Sequence, residues 1–170
     1  MKFLLGAAAA LALSACAPTP HIAGTAPIPY TQESIANSVG PCFGFCPVYT
    51  VSVAPDGTTI FDGTRHTALL GRKLGGVGPA AYARLATSLA AYRPATGTTT
   101  RTICDAEASD LSDYHIVWTA PDGTRTMLDH NKGCRSARNT ALNALLDEAP
   151  QTLGIADVSA QTTRPGASRG

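Results

Sequence analysis

Four cysteines of this 170-residue chain, Cys42, Cys46, Cys104 and Cys134, carry most of the chemistry its residue types offer. A thiol can form a disulfide, bind a soft metal or act as a nucleophile once ionised. In an exported chain an even number of cysteines points to disulfides, and four allow three connectivities. We expect Cys42–Cys46, which sit close together in a Gly-containing turn, and Cys104–Cys134. The second bond closes a loop of about 30 residues, a constraint on the unfolded chain that the entropic model values at about 3–4 kcal/mol. Pairing Cys104 with Cys134 would also gather His130, Asp105 and Glu107 into one region. Those types suit acid–base work, but a surface polar loop beside a disulfide is the simpler reading.

A fifth cysteine, Cys16, stands in a different context. It ends Leu13-Ser14-Ala15-Cys16, a bulky apolar residue, two small ones and a cysteine. Lys2 and an apolar run of 11 residues from Phe3 to Leu13 precede it. That run has the length of a secretion signal and is too short to cross a bilayer as a helix. The pattern resembles the lipobox of bacterial lipoproteins. It implies a signal peptide over residues 1–15, lipidation at Cys16 and an anchored envelope protein. Ala17 stands where enteric sorting would place Asp for inner-membrane retention, so we expect the outer membrane, facing the periplasm. A membrane reached through this lipid is the first expected partner.

Without Lys2, twelve Lys and Arg face twelve Asp and Glu, and the mature chain is close to neutral. That balance excludes the basic footprint of a nucleic-acid binder, and no polybasic run supports the lipid at the membrane. Residues 16–31 carry four prolines and almost no charge, as in a semi-extended tether. One ordinary domain is expected over 32–150 and a disordered polar tail over 151–170.

Within the domain, Glu33 to Val39 reads as a short strand leading into the cysteine turn. Val48 to Val53 alternates β-branched and aromatic residues, then meets Ala54-Pro55-Asp56-Gly57-Thr58 and a second strand through Phe61. This is a hairpin. Pro79 opens a helix bearing Tyr82, Leu85, Ala86, Leu89 and Tyr92 at helical spacing, with Pro94 as its stop. The five residues Ala-Pro-Asp-Gly-Thr return 66 positions later between Tyr114–Thr119 and Arg125–Asp129. Ser136 then caps a second helix with Ala141, Leu142, Leu145 and Leu146 on its apolar face, ending before Pro150. Two hairpin–helix units imply an α+β domain: an antiparallel sheet with both helices on one face, stapled by disulfides. Gly71 to Gly78, with Arg72 and Lys73, reads as a flexible connector rather than a phosphate cradle, lacking the Lys-Ser/Thr pair.

Cys42-Phe43-Gly44-Phe45-Cys46-Pro47-Val48-Tyr49, followed by a strand, Pro-Asp-Gly and Phe61-Asp62-Gly63, resembles the family called domain of unknown function 6438. The resemblance runs from about Glu33 to Pro150. It implies a small cysteine-braced domain, often in bacterial lipoproteins, and no activity. A thiol-redox use of Cys42 and Cys46 would need the activating helix N-terminus of C-x-x-C proteins, and here a strand follows. C-x-x-x-C-P also occurs in copper chaperones, where a distant histidine completes the site. His66, His115 or His130 would be the candidates. No nucleophile elbow, zinc-protease or dinucleotide motif is present. The reading is therefore a non-enzymatic envelope module without a cofactor, binding a protein or a cell-wall component. A periplasmic thiol-redox or copper-handling protein is the alternative.

Overall fold

The computed structural model describes residues 32–162. The expected signal, Cys16, the tether and the last eight residues of the expected tail lie outside that range. Nine strands and three helices follow in order: β1 (Ser34–Val39), β2 (Val48–Val53), β3 (Thr58–Arg65), β4 (Gly71–Gly76), α1 (Pro79–Ala90), β5 (Thr99–Arg101), β6 (Ala106–Glu107), β7 (Asp113–Thr119), β8 (Arg125–Asn131), β9 (Cys134–Arg135), α2 (Ala137–Thr152) and α3 (Ala156–Ser159). Seven strands form one sheet in the order β4-β3-β2-β1-β7-β8-β5, and β6 pairs with β9 separately. The class is α+β, as expected.

The two Ala-Pro-Asp-Gly-Thr segments fold alike. In each, the glycine amide bonds back to the alanine carbonyl (Gly57 to Ala54 at 2.8 Å, Gly123 to Ala120 at 2.9 Å). Both glycines adopt a left-handed φ, 85° and 86°, where a side chain would be strained. Asp56 and Asp122 each accept the amide of the threonine two residues on, at 2.8 Å. Those backbone amides hold both carboxyls below the ordinary aspartate value. The hairpins β2–β3 and β7–β8 do not pair with each other in the sheet. Strand β1 lies between them, antiparallel to both.

Alternation then decides the faces. Ile35 and Val39 of β1, Tyr49, Val51 and Val53 of β2, Phe61 of β3, and Tyr114, Ile116 and Trp118 of β7 are buried on one side. Tyr82, Leu85 and Leu89 of α1 and Leu142 and Leu146 of α2 join the same cluster. Both helices therefore cover one face. Among the described residues no helix is long and apolar enough to cross a membrane.

Two expectations need correction. Gly71–Gly76 is no loose connector but edge strand β4, in register with β3 from Gly63↔Gly71 to Thr58↔Gly76. Glycine lowers strand propensity, but a flanking ladder of backbone bonds still holds it. The sheet is antiparallel as expected, with short edge strand β5 added parallel to β8. The second correction concerns Pro150, which neither ends α2 nor begins a disordered tail. The helix runs through it to Thr152. Pro150 removes one helical donor, but Leu153 and Ile155 beyond it are buried at 2% and 4% exposure. Their burial offsets that loss.

Leu153→Ala is accordingly expected to cost about 2–5 kcal/mol in denaturant unfolding. A loss below 0.5 kcal/mol would show that the core closes without this segment.

Candidate functional site

Chain segments that leave β1, enter β2 and link β5 to β7 meet at one end of the sheet. The Gly40 amide bonds to the Asp113 carbonyl at 2.8 Å, and the Phe43 amide to that of Asp110 at 3.0 Å. Between them Cys42 is bonded to Cys46. The disulfide closes a small loop that projects Phe43 into solvent with 88% of its surface exposed. Phe45 turns inward and meets the His66 ring edge-to-face, centroids 5.0 Å apart.

Two non-glycine residues of the described chain have positive φ, His66 at 60° and Asp110 at 71°. They flank this loop, one on each side. His and Asp enter that region more readily than most residues, yet it is still sparsely populated. Neighbouring contacts enforce it. Thr162 donates its amide to His66 O at 3.1 Å, Ala68 donates to Ala160 O at 2.9 Å, and Thr67 bridges to Gln161. Residues past Pro150 thus anchor the segment against which the cysteine loop rests.

The structure bonds Cys104 to Cys134. The chain between Cys104 and Asp113 is clamped on both flanks. Asp105 N donates to Arg135 O at 3.0 Å and Ala108 N to Gly133 O at 3.1 Å on one side; Gly40 and Phe43 hold the other. Behind the clamp His130 is fully buried. Its Nε2 lies 2.9 Å from Asn143 Oδ1, and its Nδ1 lies 3.0 Å from Thr102 Oγ1. Asn143 Nδ2 donates to Lys132 O at 3.0 Å, which fixes the amide orientation. This network assigns the proton to Nε2 and makes Nδ1 the acceptor. Burial pushes the imidazole below its ordinary value, with the Asn143 bond opposing.

The expected grouping of His130 with Asp105 and Glu107 does not form a working cluster. Glu107 pairs with Arg101 at 2.8 Å on the surface, and Asp105 is exposed. Neither carboxylate is a hydrogen-bond partner of His130. The candidate copper ligands are likewise dispersed: His66 at the cysteine loop, His115 on the open face of the sheet and His130 in the interior. Among the described residues no three His, Cys, Asp or Glu side chains converge as a metal set. Pro47 leads into β2, so neither sulfur stands at the helix N-terminus that activates C-x-x-C cysteines.

Sequence reading missed one titratable pair. His115 Nδ1 lies 2.6 Å from Asp129 Oδ1 on the open face. The signal was present: a hairpin turning at 120–124 places positions 115 and 129 opposite each other. Ser38 stands opposite His115 on the next strand, giving the residue types of an acyl-transfer triad. Its hydroxyl pairs with Thr50 Oγ1 at 3.0 Å instead. The nucleophile–base bond that chemistry requires is not made.

Hairpins joined through one strand, two helices on one face and a cysteine-closed loop before β2 now stand beside a family match over residues 33–152, to the domain of unknown function DUF6438. The chain belongs to the DUF6438 family. No curated protein and no solved structure matches it. The match ends at Thr152, yet residues as far as Thr162 complete the core and support the cysteine loop of this DUF6438 domain.

His130 predicts a pH dependence. Its folded pKa lies below the ordinary 6.5, so as pH falls the unfolded chain binds a proton that the folded chain does not. The stability due to His130 is complete above about 6.5 and is lost as pH falls through the lower folded value. In urea unfolding between pH 7.5 and about 5, His130→Gln should lose less stability than the parent chain. An equal loss in both would contradict a buried neutral imidazole.

Proposed function

We propose that this DUF6438 protein is a non-enzymatic binding or structural module of the bacterial cell envelope. Lipid at Cys16 tethers it, at the periplasmic face of the outer membrane. It presents the Cys42–Cys46 loop to an envelope protein or a cell-wall component. The observation carrying this reading is Phe43, an aromatic ring 88% exposed on a loop that a disulfide, two backbone bonds and an aromatic contact hold still. A large apolar side chain displayed on a rigid support costs little ordering entropy when a partner covers it.

Other features support it. Disulfides persist in oxidising compartments such as the periplasm. The chain enters β1 at the end opposite the cysteine loop, about 20 Å away along the strand. An anchor on the N-terminal side therefore leaves the loop free to meet a partner. The thiol-redox or copper-handling alternative would require Cys42 and Cys46 to open without loss of that support.

Three variants test the proposal. Cys16→Ser should release the chain from the membrane fraction or block its processing. A photo-crosslinker at position 43 in the native envelope should capture one recurrent adduct. Phe43→Ala should abolish a Phe43-dependent interaction while changing stability by less than about 0.5 kcal/mol. A chain that stays membrane-bound and is processed as Cys16→Ser contradicts the anchor. Diffuse labelling at position 43 contradicts the docking loop.

A further inference from the structure

Away from the cysteine loop, at the β5 edge of the sheet, a cavity of about 420 Å³ opens between β5, the end of α1 and the start of α2. Its size falls within the roughly 300–1,000 Å³ of small-molecule sites. Leu128 and Ile103 give it an apolar lining, and Ile103 is 89% exposed beside it. Arg93, Arg101 and Arg138 line it as well, and no acidic residue does.

The three arginines are not equivalent. Arg93 is neutralised: its Nη2 lies 2.6 Å from Glu33 Oε1 and its Nε 3.1 Å from Oε2, with Glu33 itself buried. Arg101 shares its charge with Glu107 on the exposed rim. Arg138 differs from both. Its guanidinium lies over the Tyr92 ring, 5.0 Å from the centroid, and donates to the Ala91 carbonyl. A ring and a carbonyl fix its position and leave its charge uncompensated. Among the described residues Arg138 has no carboxylate partner. An oriented cation beside an apolar cavity, in a chain near neutrality, is complementary to an anion with an apolar body.

We propose that this cavity binds a small amphipathic anion, a carboxylate, sulfonate or phosphate on an apolar ring or short chain. Arg138 receives the anionic group while Leu128 and Ile103 take the apolar part. The site is separate from the cysteine loop and does not depend on the docking role given to it.

Calorimetric titration of the full chain with 2-naphthoate, against its uncharged isostere 2-naphthamide, tests the assignment. Naphthoate should bind saturably, one per chain, roughly tenfold more tightly than the amide. Arg138→Gln should lower naphthoate to the affinity of the amide and leave the amide unchanged. Thr100→Trp, which adds an indole to the cavity lining on β5 and keeps Arg138 in the chain, should remove binding of both, with the melting temperature of each variant recorded alongside. Absence of saturable naphthoate binding overturns the proposal. So does equal affinity for acid and amide, or unchanged binding in folded Thr100→Trp.

Discussion

Strand β1 exchanges backbone hydrogen bonds with β2 on one side and β7 on the other, and through it alone the two hairpins become one sheet. Its register sets every face. A slip of one residue would turn Ile35 and Val39 to the open side and bring Ser34, Ala36 and Ser38 against the helices. The strand also carries an internal cost. Asn37, between Val51 and Ile116 in the central row of the core face, buries an Oδ1 without a hydrogen-bond partner. Such an atom costs about 1–3 kcal/mol. The apolar contacts on either side of it outweigh that cost.

The end of β1 also determines where the loops gather. Gly40 and Phe43 follow it directly and bond to the segment that enters β7, so the cysteine loop and the 104–113 segment share one rim. Cys104–Cys134 ties that segment to the strand pair β6–β9 and through it to α2. The positive φ of His66 and Asp110 is imposed within this ring of contacts. Local strain, two cross-links and an exposed aromatic side chain occur together at this rim.

Much of this was legible from local patterns. The repeated Ala-Pro-Asp-Gly-Thr turns specify their own geometry through glycine and aspartate. Ser136 accepts the Asn139 amide at 3.1 Å as a helix cap should. The spacing of Tyr82, Leu85 and Leu89 marks the face of α1 that is buried. What escaped depends on distant partners. β4 is a strand because β3 lies beside it, which Gly71–Gly76 alone does not announce. Pro150 is a stop signal locally, overridden by burial of Leu153 and Ile155. The Arg138–Tyr92 contact exists because α1 and α2 pack side by side, and no spacing in the chain encodes that. Alternation along β8 puts His130 on the buried face with Leu128, but its partners Thr102 and Asn143 reach it from other elements.

Whether the Cys42–Cys46 bond serves as a brace or as working chemistry is the point on which this account turns. Non-reducing mass spectrometry of the chain taken from its native envelope, with metal content measured on the same sample, addresses it most directly. The account predicts a metal-free chain with Cys42–Cys46 intact and no more sensitive to mild reductant than Cys104–Cys134. A Cys42–Cys46 pair that opens under mild reductant while Cys104–Cys134 persists, or copper that co-purifies with the chain, would contradict it.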